Sequence, residues 1–295
     1  MADNSTYVRR IGDRSDGRRL RSLAPVFKFM PFIMRQRSDA CNAFTDSLEV
    51  TEVDAWLREK RAAGYRGMGL LHLFIAAYVR TLAYCPGLNR FVSGQRIYSR
   101  FGIQVVMSVK REMDTGASDA SIKVHFEPTD TINDIYRKMN EAIDAIKAND
   151  GSNDMENIAA ALTSLPRFMQ KFIVRALYIL DYFGIMPAGL LEASPFHGSM
   201  IITDMGSLGI PPIYHHIYNF GNLPVFLSFG ARRRAIEPDR TGHLVERRYV
   251  DLCAVLDERT CVGFYYATAF KYIKYFIRNP QLLELPPDEV REDVF

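Results

Sequence analysis

The chain has 295 residues, of which 48% are hydrophobic and 24% are charged. This is the composition of an ordinary folded protein, long enough for one large domain or two small ones, and it excludes a largely disordered chain. The net charge of +3 is too small to indicate nucleic acid as a partner.

The four cysteines form no C-x-x-C pair and have no metal-type spacing with the histidines. We therefore expect reduced, mostly buried thiols and no bound metal. Every long apolar stretch is interrupted by a charge before it reaches the roughly 18 residues that a membrane span needs, and the N-terminus has no apolar signal core. A cytoplasmic protein is the expectation.

The N-terminal region is basic, with nine Lys or Arg and three Asp among residues 1–37. We interpret residues 1–22 as a basic N-terminal arm and residues 23–295 as one domain. The arm is either solvated or a strap that contacts a neighbouring subunit or a phosphate-bearing ligand.

The first half of the domain alternates strand and helix patterns. Thr51-Glu52-Val53-Asp54 is typical of a capping box that opens a helix through about Ala62. The helix predicted from Leu70 to Ala83 is apolar on nearly all sides, which places it in the core. Further strands are predicted at Phe44–Val50, Arg90–Val92, Ile103–Val109 and Ile122–Phe126, and an amphipathic helix at Thr131–Ala148.

Residues 150–196 are predicted to form a helical insertion. Within it, residues 166–191 combine aromatic and aliphatic side chains with Arg167, Lys171 and Arg175 on other faces. Such a helix covers the core, makes an oligomer contact, covers an acyl chain or makes a peripheral contact with a membrane surface. Helical spacing does not separate these alternatives.

The last third returns to strands, at 199–204, 224–229 and 247–256, and ends in a helix at 264–278. Strands and helices interleave along the whole chain. This order favours a layered α/β domain with helices packed on a mixed sheet.

The commonest catalytic motifs are absent: the sequence has no Walker loop, no G-x-G-x-x-G, no G-x-S-x-G and no H-E-x-x-H. Two segments place polar residues at strand ends, where α/β folds present reactive groups. One runs from His197 to Gly209 and contains Thr203. The other is Asp257-Glu258-Arg259-Thr260-Cys261-Val262-Gly263.

The first of these segments resembles the G-T-F-T-I-S-N-x-G strand of the acyltransferase core of 2-oxoacid dehydrogenase complexes, relatives of chloramphenicol acetyltransferase. The second segment is similar to the D-H-R-x-x-D-G motif of that family, and two further stretches, Phe74–Asn89 and Asn279–Leu283, resemble its P-x-x-N helix end and its closing N-P-x-x-L. The resemblance implies a chloramphenicol acetyltransferase-like fold, a two-layer mixed β-sheet with packed helices, to which the helical insertion is extra.

The resemblance also implies a reaction, CoA-dependent acyl transfer from a thioester, with coenzyme A or acyl-CoA as substrate. In the family a motif histidine is the general base and a strand hydroxyl stabilises the oxyanion. Thr203 matches the hydroxyl, but Glu258 replaces the histidine and Val262 replaces the motif aspartate. A carboxylate of ordinary pKa ~4.3 faces ~6 kcal/mol in deprotonating a thiol of pKa ~8.5. Burial of Glu258 would reduce this cost.

Histidines elsewhere offer a replacement base. His215 and His216 lie between the Thr203 strand and the next, and either one reaches Thr203 if the loop turns back. The alternative is a pair of loop histidines bonded to backbone or water. For the phosphates of CoA, the predicted contacts are Arg232, Arg233 and Arg259; a solvated basic turn is the alternative for the first two.

By resemblance the protein is a homotrimer or a higher multiple of trimers that binds an acyl thioester in a channel between neighbouring subunits. The replaced motif residues leave two other functions open. One is a catalytically inactive oligomeric scaffold, and the other is an acyl- or lipid-binding protein on the same fold.

Overall fold

The computed structural model describes residues 7–110, 119–148 and 160–295, which form two β-sheets and the helices packed on them. The strands are β1 (Gly17–Arg19), β2 (Cys41–Glu49), β3 (Arg90–Ser93), β4 (Arg96–Arg100), β5 (Ile103–Lys110), β6 (Asp119–Phe126), β7 (Met200–Asp204), β8 (Val225–Pro238) and β9 (Leu244–Asp257). The helices are α1 (Pro25–Ile33), α2 (Thr51–Ala62), α3 (Leu70–Tyr84), α4 (Ile132–Ala148), α5 (Arg167–Phe183), α6 (Ala188–Ala193) and α7 (Gly263–Arg278).

The main sheet has six strands in the order β2-β9-β8-β7-β5-β6. Strand β7 runs parallel to both of its neighbours, β5 and β8, and the remaining pairs are antiparallel. Because β7 is the short central strand, its C-terminal end at Thr203 and Asp204 is flanked by strands on both sides. The mixed sheet with packed helices confirms the predicted fold class.

One face of the main sheet packs against α2, α3, α4 and α7 and forms the large hydrophobic core. Helix α3 is buried on nearly every side, as predicted, and the ring of Phe74 stacks on Phe229 of β8 at 4.6 Å between centroids. Burial of this apolar area is the main term that stabilises the domain.

The opposite face is covered by the segment 205–224, which links β7 to β8. A smaller apolar cluster lies beneath it, made of Val106, Ile201, Ile217, Leu223, Phe226 and Val255. The two faces alternate along each strand, so Ile201 and Thr203 point to this second face while Ile202 points to the helices.

The described part of the basic arm, residues 7–22, lies against the body of the protein. Strand β1 pairs with β4 in a small sheet of order β1-β4-β3. Arg14 is buried and donates to Asp16 at 2.7 Å and to Asp181 of α5 at 2.8 Å. The arm therefore fastens the insertion helix to the small sheet.

Two local predictions are wrong. Thr51 is the first residue of α2 and not its cap: the N-cap is Val50, and the Thr51 hydroxyl instead accepts a hydrogen bond from the backbone N–H of Arg248 at 3.0 Å. The helix expected over residues 166–191 is two helices, because Gly184 ends α5 in the left-handed conformation and Pro187 precedes α6.

The remaining elements agree with their predicted positions to within a few residues, except that β8 and β9 extend into a longer hairpin. The first part of the predicted insertion, residues 150–159, lies outside the described residues. Among the helices of the described chain, none combines the length and apolarity needed to cross a membrane.

His72 in the first turn of α3 is a titratable group inside the core. Its Nδ1 accepts a hydrogen bond from the backbone N–H of Gly69 at 3.3 Å. Burial lowers the pKa of His72 from 6.5 to about 4, and the nearby Asn140 side chain offsets part of this change. The imidazole is therefore neutral in the folded protein at neutral pH.

We expect the free energy of unfolding to fall as the pH is lowered from about 6.5 to about 4. Over this range the unfolded chain takes up a proton on His72 that the folded protein refuses, which costs about 3 kcal/mol. His72→Gln retains the acceptor that the Gly69 N–H needs but does not titrate. Denaturant unfolding at several pH values should give a shallower acid dependence for H72Q; parallel profiles for the two proteins would contradict this role.

Candidate functional site

The polar end of β7 continues across the sheet as a row of polar side chains. Thr203 pairs with Ser228 of β8, and Ser228 pairs with Cys253 of β9. All three point to the face that the segment 205–224 covers, because they have the same alternation as Ile201, Phe226 and Val255. Thr203 thus faces the covering segment and not the helical layer.

The path of this segment depends on close backbone contacts. Pro211 and Pro212 pass directly over Gly230, where an added Cβ would collide with both prolines. The backbone N–H of Ile213 then donates to the Ser228 hydroxyl at 3.3 Å. These contacts turn the segment back over the strand ends, as the prediction of a replacement base requires.

His215 is brought to Thr203 by that turn. Its Nε2 lies 3.1 Å from the Thr203 Oγ1, and its ring stacks on Phe226 at 4.2 Å with an interplanar angle of 8°. Burial lowers the pKa of His215, and the neighbouring His216 lowers it further. The imidazole is neutral at neutral pH, so with Nε2 unprotonated the threonine hydroxyl donates to it.

Beside His215 the structure has a cavity of about 440 Å³. It is lined by the covering segment, including His216 and Tyr218, by Cys41 at the start of β2, and by Ser38 in the turn before that strand. His216 packs edge-on against Tyr218 and makes no hydrogen bond to Thr203. Burial raises the pKa of Cys41, whose thiol donates to the carbonyl of Arg37 at 3.1 Å.

The far end of the segment is held by a buried ionic cluster. Arg259 binds both carboxylate oxygens of Asp257, at 2.8 and 2.7 Å, and Arg37 approaches the same carboxylate at 3.3 Å. Arg37 also donates to the carbonyls of Tyr218 and Gly221, at 2.7 and 2.5 Å. One carboxylate therefore connects the residues before β2, the covering segment and the motif after β9.

Glu258 is placed differently. It follows β9, and its exposed carboxylate has no ion-pair partner among the residues that the structure describes. Glu258 lies five residues beyond Cys253 and two strands away from Thr203, a separation of roughly 20 Å from strand geometry. The structure does not bring Glu258 and Thr203 together within one chain.

The three predicted phosphate contacts divide into two groups. Arg259 is buried and committed to Asp257. Arg232 and Arg233 pair with Asp54 and Asp251, both at 2.9 Å, but 44% and 48% of their side chains stay exposed. Arg232 also lines a cavity of about 270 Å³ next to Asp204 at the end of β7.

Arg37, Cys41 and Phe226 belong to the site but stand in no motif. For Phe226 the sequence contains a signal, since this residue alternates with Ser228 on the predicted strand 224–229 and so shares the Thr203 face.

Val262, at the position of the motif aspartate, is the N-cap of α7, where valine makes no side-chain cap. It leaves this helix start uncapped.

Replacing Asp257 with asparagine should lower the free energy of unfolding by about 3–5 kcal/mol, because two buried guanidinium groups lose their only shared carboxylate in the described chain. Asp251→Asn is the matched control, since it breaks an exposed pair with Arg233 and should change stability by less than about 1 kcal/mol. Urea unfolding measures both. Equal effects of the two substitutions would show that the buried cluster does not hold this region.

Comparison of the sequence with models of protein families gives no match, and comparison with curated protein sequences gives none either. Solved structures do match. The dihydrolipoamide acetyltransferase of Azotobacter vinelandii, in which a serine, a histidine and an asparagine were investigated for their role in the catalytic mechanism, is 13% identical with a TM-score of 0.56. The match covers 90% of this chain and 94% of that one.

Two further solved structures match the fold of this chain. A probable dihydrolipoamide acetyltransferase from Listeria monocytogenes is 14% identical with a TM-score of 0.54, over 88% of this chain and 94% of that one. The cubic core of a pyruvate dehydrogenase multienzyme complex is 14% identical with a TM-score of 0.51, over 88% and 89%. The chain therefore has the fold of these acyltransferase cores, as the resemblance predicts.

Proposed function

We propose that the protein is a CoA-dependent acyltransferase in which His215 replaces the histidine base that its motif lacks. The observation that carries the proposal is the 3.1 Å approach of His215 Nε2 to Thr203 Oγ1, at a strand end of a fold shared with acyltransferase cores. A base and a hydroxyl this close can act on the same reacting atoms.

The proposed reaction uses the neutral imidazole first. His215 accepts the proton of an acceptor thiol or hydroxyl, whose sulfur or oxygen then forms a bond to the carbonyl carbon of the thioester. The Thr203 hydroxyl turns from His215 to donate to the negative oxygen of the tetrahedral intermediate. The carbon–sulfur bond to CoA breaks, and the imidazolium returns its proton to the leaving thiolate.

The stacking of His215 on Phe226 supports this role. It fixes the ring plane, so that Nε2 stays directed at Thr203, and it supplies the apolar contact that accompanies the lowered pKa. The cavity beside the ring gives an acceptor or an acyl group room next to the base.

For the phosphates of CoA we propose Arg232 and Arg233 as contacts. Both guanidinium groups are half-exposed and lie on β8 beyond Phe229, which is the residue paired with Asp204 at the end of β7. Arg259 is left out of this set, because its donors are directed at Asp257 and at backbone carbonyls.

The proposal includes assembly as a homotrimer or a multiple of trimers. One protein of the same fold forms a cubic core. Val262 and Phe264, at the end of the motif, are 45% and 83% exposed, and a neighbouring subunit would remove this apolar surface from water.

His215→Gln should lower kcat/KM for acetyl transfer from acetyl-CoA by at least about 100-fold, because glutamine still hydrogen-bonds Thr203 but takes no proton. Dihydrolipoamide is the acceptor to try first. Thr203→Val should lower kcat by about 100-fold through loss of the oxyanion donor. His216→Gln is the matched control and should leave the rate near that of the wild type, as should Glu258→Gln.

Two other outcomes of these assays would contradict the assignment of the base to His215. A loss of rate in E258Q with none in H215Q would assign the base to Glu258 of a neighbouring subunit. No transfer by the wild type, together with no CoA binding in calorimetry, would support the inactive scaffold and contradict the proposal.

A further inference from the structure

Helix α5 presents a wide apolar face to solvent. Phe168, Phe172 and Phe183 are 73%, 74% and 68% exposed, and Tyr178 and Ile179 are 44% and 49% exposed. Large apolar side chains in such a continuous arrangement mark an interaction surface, whereas single exposed residues do not. We call this surface the α5 face.

The helix itself is firmly attached to the protein. Asp181 is buried and accepts a hydrogen bond from Arg14 at 2.8 Å, and its carbonyl accepts from Ser93 at 2.8 Å. Gly94 lies so close to the backbone of Tyr182 that an added Cβ would collide with it. The α5 face is therefore displayed by a fixed helix, and its exposure follows from the packing of the opposite side.

The exposed charged side chains of α5 are all positive. Arg167, Lys171 and Arg175 are exposed, whereas Asp181, the one acidic residue of the helix, is turned inward and paired. Whatever covers the α5 face meets aromatic rings and three positive charges. A negatively charged, apolar surface is the complementary partner.

We propose that the α5 face binds the surface of a membrane containing anionic lipids, with the helix lying in the interface. The basic side chains pair with head-group phosphates while the phenylalanines enter the acyl boundary, and tyrosines suit the interface between them. Lys171, Val174 and Tyr178 lie side by side on the same open stretch of the α5 surface, so a basic head-group contact adjoins apolar side chains.

A second copy of the chain fits this surface less well. A twofold contact through the α5 face would place the same three cations of both chains at one interface, with no acidic residue of α5 on that face to compensate them. The lipid surface supplies the missing negative charge. This inference does not depend on the proposed acyl transfer.

Vesicle flotation of the full-length protein tests it. Binding is expected to vesicles of phosphatidylcholine with phosphatidylglycerol, to weaken as salt is added, and to be absent with phosphatidylcholine alone. Lys171→Ala with Arg175→Ala should weaken binding by about 25-fold, roughly fivefold for each charge. Phe168→Ser with Phe172→Ser should weaken it by at least about tenfold.

Leu244→Ser and Lys271→Ala are the matched controls, because Leu244 is 74% exposed and Lys271 is exposed on other elements, and neither should change binding. No flotation of the wild type, or equal flotation of the wild type and both double variants, would overturn the proposal. So would a change of oligomeric state in F168S/F172S by light scattering with lipid binding unchanged, since the α5 face would then be a contact between copies.

Discussion

The buried carboxylate of Asp257 is the constraint on which the candidate site depends. Two guanidinium groups, those of Arg37 and Arg259, lie in the interior with it, and neither would be tolerated there without a negative charge. Arg37 also donates to the carbonyls of Tyr218 and Gly221. Its ion pair with Asp257 therefore fixes the C-terminal end of the segment 205–224, which carries His215. The position of the proposed base is thus coupled to an ion pair that takes no part in its chemistry.

This coupling separates two roles within one motif. In Asp257-Glu258-Arg259 the first and third residues face inward and maintain the loop, while Glu258 faces solvent. The residues that match the family pattern here are those that the fold needs. Because Glu258 is exposed, its side chain takes no part in the packing of the loop. The proposed base lies instead on the segment 205–224, where Pro211 and Pro212 pass over Gly230 of β8 and turn the chain back to Thr203.

Much of the fold could be predicted from the sequence because its signals are local. Helix α3 follows from a run of residues that is apolar on nearly all sides, and the strands of the main sheet follow from short apolar runs. Thr203 is placed at the end of such a strand by its position in the sequence alone. The capping-box prediction is wrong because a residue distant in sequence competes for the same hydroxyl. The backbone N–H of Arg248 donates to the Thr51 hydroxyl that a capping box would use. The sequence offers the contact between His215 and Thr203 as one of two alternatives, because the path of the covering segment depends on Gly230 and Ser228 of another strand. The exposure of Glu258 and the role of Arg37 depend on long-range packing in the same way.

Chemical rescue tests the central claim most directly. His215→Ala would leave a space beside Thr203 that opens onto the cavity lined by Ser38 and Tyr218, wide enough to admit free imidazole. We predict that acetyl transfer from acetyl-CoA is lost in H215A, that added imidazole restores it in proportion to its unprotonated form, and that H216A needs no rescue. Full transfer by H215A without imidazole would contradict the account, because the base would then lie elsewhere.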